Sequence, residues 1–311
     1  MARVLVVDPL LLTPAFGVGP GWAGPEHDIL VPAGFEPGDL RPHLPEAVAI
    51  LTAHAPVTAE MMESAPGLRL VAKPGAGVDN IDVRAAARRG VVVTNVTGAR
   101  GRAVAEHALF MMLYLARRAW MRGDPAWRDT VSTQLGGKTL GVVGFGEIGT
   151  RVARFGHGLG MRVIVHTRTP DPRRVTGVPV EFVGFGELLR RAGFVVLCVP
   201  LTAETRGMID RSALLVMAED AYLVNVSRGP VVMTDHLLEV MRSGRLAGAG
   251  LDVTDPEPLP PGHGLRRLPN VLISPHNAGR TVESQAEALE RMWTNVRRVL
   301  SGQPALDPVV A

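Results

Sequence analysis

The stretch Leu140-Gly141-Val142-Val143-Gly144-Phe145-Gly146-Glu147-Ile148-Gly149 decides the fold. Its first four residues are an apolar run of the kind that fills a buried parallel strand. Three glycines follow in G-x-G-x-x-G spacing, then a segment of helical character, then a second strand-like run, Arg162-Val163-Ile164-Val165. Glycines are common in turns, so the spacing alone says little. Framed by strand, helix and strand within about thirty residues, it becomes a dinucleotide fingerprint. The first glycine permits the tight turn, the second lets the backbone approach a pyrophosphate, and the third lets helix and strand pack closely. The helix N-terminus offers free N–H groups to the phosphates. Gly144, Gly146, Glu147, Ile148 and Gly149 are therefore expected to border a dinucleotide.

On both sides of the fingerprint the chain alternates strands and helices. Val4–Val7, Ala47–Leu51, Leu68–Ala72 and Val91–Thr94 are short, β-branched and bounded by turn residues, with helical candidates at Thr58–Ser64 and Val83–Arg89. A small α/β unit is thus complete before residue 100. A second runs strand by strand from Thr139 to Ile273, and a last helix spans about Val282–Leu300. Ala103–Arg117, apolar on most faces, predicts a helix buried between domains. The fold class expected is α/β, with two doubly wound parallel-sheet domains, one of Rossmann and one of flavodoxin type. Ligands of such sheets bind beyond the carboxyl ends of the strands, at the topological switch point.

Composition bounds the rest. A chain of 311 residues suits two domains, and 46% hydrophobic with 20% charged residues describes a soluble globular protein. A strand at the amino terminus predicts no signal peptide, and no apolar run reaches membrane-spanning length. The single Cys198 cannot form an internal disulfide, which points to a reducing, cytoplasmic setting. The pI of 9.6 comes with a net charge of only +3, from arginines scattered near acids, so no nucleic-acid partner is expected.

The turns that follow the strands of the second unit carry polar clusters. They are Val199-Pro200-Leu201-Thr202 with Thr205, Asn225-Val226-Ser227-Arg228-Gly229, Asp252 with Asp255-Pro256-Glu257-Pro258, and Ser274-Pro275-His276-Asn277-Ala278-Gly279. An arginine, an acid and a histidine thus converge on the rim that holds a dinucleotide. Hydride transfer to a ketone requires a proton at the carbonyl oxygen, which a histidine supplies near neutral pH when a carboxylate orients it. An arginine holds a substrate carboxylate by paired charge-assisted hydrogen bonds. No metal is needed.

These stretches, with Pro74-Gly75-Ala76-Gly77-Val78-Asp79-Asn80-Ile81-Asp82 and Ala103-Val104-Ala105-Glu106-His107, resemble the D-isomer-specific 2-hydroxyacid dehydrogenase family over nearly the whole chain. The resemblance implies that Arg228 binds the substrate's carboxylate and keto oxygen, that His276 is the acid/base, and that Glu257 is its partner. It implies that Ala76 and Gly77 meet the carboxylate with backbone N–H groups and that Asp252 binds the nicotinamide carboxamide. Val199, Pro200, Thr205, Val226 and Ala278 complete the cofactor set. It also implies interrupted domains: residues 1–98 with 285–311 for substrate, and 99–284 for dinucleotide. Family members close over substrate by a hinge and are usually homodimers, with the helix from Ala103 at the dimer contact. Because the chain stops after its final helix, an appended regulatory domain is not expected.

Four positions depart from the family pattern. Where NAD users carry an aspartate after the second strand, this chain has Thr167, Arg168 and Thr169, which favours NADP(H) while leaving NAD(H) possible. Arg100 replaces a common asparagine, His54 stands where Arg or Ser is usual, and Met233 replaces an Asp or Asn. With Lys73 and Arg102, the residues His54 and Arg100 add positive or protonatable groups near the expected substrate. They raise the possibility of a second anionic group on the 2-keto acid, such as a phosphonate or carboxylate; glyoxylate or hydroxypyruvate is the simpler substrate. Two other readings stay open. One is a corepressor-like, nucleotide-sensing binding protein. The other is oxidation of formate or phosphite on the same scaffold, although formate enzymes usually carry glutamine at the position of Glu257.

Overall fold

The computed structural model describes residues 2–14, 16–18, 27–121 and 130–309. The chain divides into two compact units, Met1–Arg100 with Arg280–Ala311, and Gly101–Gly279.

In the first unit, strands β1 (Ala2–Val6), β2 (His27–Leu30), β3 (Ala47–Leu51), β4 (Leu70–Ala72) and β5 (Val92–Thr94) form a parallel sheet in the order β2-β1-β3-β4-β5. The order reverses between β1 and β3, which places a switch point at their carboxyl ends. Helices α1 (Pro37–Leu40), α2 (Ala59–Glu63) and α3 (Val83–Arg88) belong to this unit. Thr58 and Asp82 cap α2 and α3 by accepting from Met61 N and Ala85 N. The C-terminal helix, Val282–Leu300, starts with a reciprocal Thr281–Ser284 capping box. Its Ala288, Met292, Trp293, Val296 and Val299 recur at helical spacing and join a core with Val4, Ala49 and Leu70. Each such large apolar side chain, fully buried, contributes roughly 1.5–3 kcal/mol.

The second unit begins with α4 (Gly101–Ala116) and continues with β6 (Thr139–Val143), α5 (Glu147–Gly158), β7 (Arg162–His166), β8 (Val180–Phe182), α6 (Phe185–Arg191), β9 (Phe194–Leu197), α7 (Arg211–Val216), β10 (Tyr222–Asn225), α8 (Thr234–Arg242), β11 (Gly248–Leu251) and β12 (Val271–Ile273). All strands are parallel, in the order β12-β11-β10-β9-β6-β7-β8. Direction reverses between β6 and β9, so the fingerprint turn lies at the switch point. The expected α/β fold of two parallel sheets is present. β2 and β8 were not anticipated, because His27-Asp28 and Glu181 break their apolar runs.

Helix α4 corrects another expectation. It buries one face, including Ala105, Ala108, Met111, Met112 and Leu115, while Phe110 and Leu113 stay 49% and 38% exposed. Met233 precedes α8 at its N-cap position without capping it, since a thioether offers the helix N–H groups no comparable acceptor.

The fingerprint glycines divide their work. Gly144 has φ +95, and a Cβ there would come within 2.7 Å of the Cys198 carbonyl. A Cβ on Gly149 would collide with the Gly144 carbonyl, whereas one on Gly146 would meet nothing within 4 Å. Gly149→Val should therefore cost about 1–3 kcal/mol as an overpacked contact, while Gly146→Ala stays within about 0.5 kcal/mol of the parent. Urea titration of both variants checks this, and equal losses would contradict it.

Candidate active site

In the second unit, α5 starts at Gly146 without any side-chain cap, leaving its first N–H groups for a ligand. With the open space beside Gly146, this cradle fits a pyrophosphate. Glu147 stands in the first turn and pairs with Arg151 at 3.1 Å, which offsets its repulsion of phosphate. Beyond β7, Thr167 is half-buried and Arg168 and Thr169 are exposed. Among the described residues Arg168 makes no hydrogen bond or ion pair, although its charge helps, after the Thr202 hydrogen bond, to hold the Glu204 carboxyl below its ordinary value. Arg173 is tied to Asp171 at 2.9 Å. Arg174 donates to the Phe145 carbonyl at 3.0 Å and so leans on the fingerprint turn itself. After β9, the Thr205 hydroxyl accepts from Thr202 N at 2.8 Å and donates to the Pro200 carbonyl at 2.7 Å. These bonds close the turn that carries Val199 and Pro200.

The β10 turn is folded by Asn225, which is fully buried. Its side chain accepts from Ser227 N at 3.0 Å and Ser227 Oγ at 2.6 Å, and donates to the Arg228 carbonyl at 3.0 Å. Val226 is buried within the turn, and Arg228 comes out half-buried, with its guanidinium donating to the Ser227 carbonyl. A Cβ on the next residue, Gly229, would collide with the Thr254 carbonyl. Only glycine lets this turn lie against the segment that leads to Glu257.

At the ends of β11 and β12 the buried Asp252 carboxylate accepts from Ser274 Oγ at 2.6 Å, Asn277 N at 2.9 Å and Ala278 N at 3.1 Å. The Asp252 carbonyl accepts from His276 N at 2.8 Å. His276 sits at φ +51, a left-handed conformation that non-glycine residues adopt only under constraint. Its Nδ1 lies 2.6 Å from Glu257 Oε1. The structure thus joins His276 and Glu257 directly, with the Arg228 turn packed against the segment carrying the glutamate.

One participant escaped the sequence reading. His107, on α4, places Nε2 2.9 Å from Ser274 Oγ and 3.7 Å from Asp252 Oδ1. Burial outweighs the pull of Asp252 and lowers its imidazole below the ordinary value. Residues 107 and 274 lie 167 positions apart, and no local pattern joins them.

In the first unit the expected substrate residues are engaged locally. Lys73 is buried and donates to Asn80 Oδ1 at 2.5 Å, while Asn80 donates to the Ala55 carbonyl at 2.7 Å. Arg100 donates to Gln285 Oε1 at 2.7 Å, lies over the Phe16 ring, and is pushed down to about 10 by burial and by Arg280. Ala76 is exposed, its carbonyl accepting from Asn95 at 2.6 Å, and Gly77 is half-buried. The residues after β3 form an unforeseen nest. N–H groups of Ala53, His54 and Ala55 donate to Asp8 Oδ2 at 3.0, 2.5 and 2.8 Å, and Leu10 donates to Oδ1 at 2.9 Å. The His54 side chain is exposed.

A cavity of about 670 Å³ lies elsewhere, lined by Thr139, Met161, Arg162 and Glu181 at the amino-terminal ends of β6–β8, the end of the sheet opposite the fingerprint turn. Among the described residues no group of three or more His, Cys, Asp or Glu could hold a metal ion, and no helix is long and apolar enough to cross a membrane.

The model of the D-isomer-specific 2-hydroxyacid dehydrogenase NAD-binding domain matches residues 110–278. Glyoxylate reductase of Thermococcus litoralis is 37% identical over 260 residues, 79% of this chain and 78% of its own. The crystal structure of the TT0316 protein from Thermus thermophilus gives a TM-score of 0.87 at 36% identity, covering 99% of this chain and 100% of its own. D-lactate dehydrogenase from Aquifex aeolicus, solved with NAD and lactic acid, gives 0.86 at 26% identity, covering 99% of each chain. The chain belongs to the D-isomer-specific 2-hydroxyacid dehydrogenase family. It is a nicotinamide-dependent oxidoreductase that interconverts 2-keto and 2-hydroxy acids.

The Asp8 nest generates a test of its own. Burial raises the cost of ionising Asp8, but N–H groups of His54, Ala55, Leu10 and Ala53 outweigh it and hold the carboxyl below its usual range. A depressed folded value stabilises the fold above the unfolded value and loses that contribution as pH falls through the folded one. Asp8→Asn should cost on the order of 3 kcal/mol at pH 7, and the gap to the parent should close as pH drops below about 4, the ordinary range of an aspartate carboxyl. A pH-independent gap in urea titrations would rule the nest out as its source.

Proposed function

We propose that this chain reduces a singly charged 2-keto acid, of the glyoxylate or hydroxypyruvate class, to the D-2-hydroxy acid, with a preference for NADP(H). The hydrogen bond of 2.6 Å between His276 Nδ1 and Glu257 Oε1, at the carboxyl ends of the sheet, carries this reading. A bound reduced nicotinamide supplies the hydride. Glu257 orients the imidazole and stabilises its protonated form, and His276 Nε2 delivers the proton to the carbonyl oxygen. Arg228 holds the carboxylate and polarises the carbonyl. Asp252 Oδ2 accepts from Ala278 N alone among the described residues, which leaves it capacity for a carboxamide N–H.

The second unit, with its glycine cradle, is the dinucleotide domain, and the first carries the substrate loop at Ala76 and Gly77. The bonds of Lys73 to Asn80 and of Arg100 to Gln285 weigh against a second anionic group on the substrate, since both cations already have local work. The corepressor and formate readings predict no keto-acid turnover, and the acid at 257 counts against the second. The open apolar face of α4 at Phe110 and Leu113 supports a homodimer. Burial pushes the Cys198 thiol up to about 12, which keeps it inert.

NADP(H) selectivity rests on Arg168. No carboxylate follows β7 to repel a 2′-phosphate, and a guanidinium pairs with a phosphate dianion in two parallel hydrogen bonds. Such use favours the reductive direction. Losing one charge-assisted hydrogen bond of roughly 1.5–3 kcal/mol costs ~10- to 100-fold in affinity. Arg168→Ala should therefore raise KM for NADPH by that factor and leave KM for NADH nearly unchanged. Wild-type kcat/KM with NADH equal to that with NADPH would refute the preference.

His276→Ala should lower turnover by roughly 10²–10⁴-fold. Glu257→Gln should lower kcat as well, because the imidazole loses the carboxylate that orients it at 2.6 Å. Steady-state assays of glyoxylate, hydroxypyruvate, phosphonopyruvate and oxaloacetate with both reduced cofactors check substrate and mechanism together. Best turnover of a doubly charged acid would overturn the substrate class, and a fully active His276→Ala the mechanism.

A further inference from the structure

The turn Ser274–Gly279 holds His276 in a left-handed conformation, and the hydrogen bonds that constrain its backbone converge on Asp252. The Asp252 carbonyl takes His276 N, and its carboxylate takes Asn277 N, Ala278 N and Ser274 Oγ. A serine hydroxyl has one proton, and the 2.6 Å contact with Asp252 Oδ1 uses it. The 2.9 Å contact between His107 Nε2 and Ser274 Oγ must then be donated by the imidazole. His107 and Ser274 form a chain of donors that points toward the Asp252 carboxylate. The polarity is the reverse of a nucleophilic serine site, where the histidine would take the serine's proton. Here the serine is an orienting group.

We infer that His107 is a positioning residue for the reaction: through Ser274 it fixes the Asp252 carboxylate, and thereby the strained turn that aims His276. The geometry supports this at each link. Asp252 is buried, and without Ser274 its Oδ1 would keep only the Asn277 N hydrogen bond among the described residues. Ser274 has a second proton position toward solvent or toward His107, and only an N–H on His107 excludes the latter. His107 itself is fixed, because α4 packs on β10, β11 and β12 and its ring rests 5.6 Å from Phe110. A helix remote in sequence from the acid/base thus sets the turn's geometry. The inference rests on the acid/base reading of His276, so one of its readouts avoids catalysis altogether.

The test compares His107→Ala, His107→Gln, Ser274→Ala and the double His107→Ala/Ser274→Ala. In the cofactor-free protein, hydrogen exchange at the Asn277 and Ala278 amides should quicken in both alanine single variants and stay near the parent rate in His107→Gln, whose amide still donates. In steady state, kcat should fall roughly 5- to 10-fold in His107→Ala, the worth of one neutral hydrogen bond, and at least as far in Ser274→Ala, which also loses a bond to a carboxylate. KM for glyoxylate should stay within about twofold, because substrate-holding groups are untouched. The double variant should lose no more than the worse single, as members of one chain are non-additive. A merely structural histidine would move melting temperature without that kcat–KM split or the glutamine rescue. Unchanged exchange and unchanged kcat in His107→Ala, or additive losses in the double variant, would overturn the proposal. If His107→Ala does not fold, Ser274→Ala against Ser274→Thr, which keeps the hydroxyl, decides by the same readouts. Quickened exchange with His276→Ala fully active would instead leave the chain in place and remove only the acid/base reading.

Discussion

A carboxylate taken out of water must find donors, and the buried Asp252 finds three within 3.1 Å, all on the turn after β12. That requirement organises the second unit. Leaving such a group unpaired costs several kcal/mol, so the segment from Ser274 to Ala278 is obliged to wrap the carboxylate. Wrapping it forces His276 to φ +51, a conformation it would not choose on its own. The strain is small, on the order of 1–3 kcal/mol, and three charge-assisted bonds outweigh it. The backbone geometry thereby brings the imidazole to Glu257, and the 2.6 Å hydrogen bond holds the ring there.

The other candidate side chains are delivered by close approaches of backbone to backbone. Gly229 lets the Arg228 turn rest on the Thr254 carbonyl, and Thr234 Oγ1 donates to the Asp255 carbonyl at 2.6 Å, pinning the segment before Glu257. On the cofactor side, Gly149 seats α5 against the Gly144 carbonyl and Arg174 braces the Phe145 carbonyl. Parallel strands with ends in register convert these local contacts into one functional rim. The proposed chemistry then needs little from the protein beyond holding a proton, an anion and a dinucleotide in place.

Much of this was legible in the sequence because it is local. The fingerprint, the Asn225–Gly229 turn and the C-terminal helix are each set by residues within a few positions of one another. The α/β alternation gave the parallel sheets for the same reason. What stayed hidden is long-range or depends on which face a residue takes. Asp8 meets its nest 45 to 47 residues away, and His107 reaches Ser274 across the whole unit. Lys73 and Arg100 read as charges near a substrate, yet each is committed to a neutral amide side chain that only folding supplies. Helix α4 reads as buried between domains yet leaves Phe110 and Leu113 exposed, because apolar content shows how much surface seeks cover, and not what covers it.

The central claim is that a protonated His276, oriented by Glu257, and an Arg228-held carboxylate present one face of a 2-keto acid to the cofactor. The most direct measurement is the configuration of the product. Hydroxypyruvate or pyruvate is reduced with NADPH by the purified protein, and the 2-hydroxy acid is resolved by chiral chromatography. The account predicts the D enantiomer alone, lost in step with turnover in Arg228→Ala. An L or racemic product, or no reduction of either acid, would contradict it.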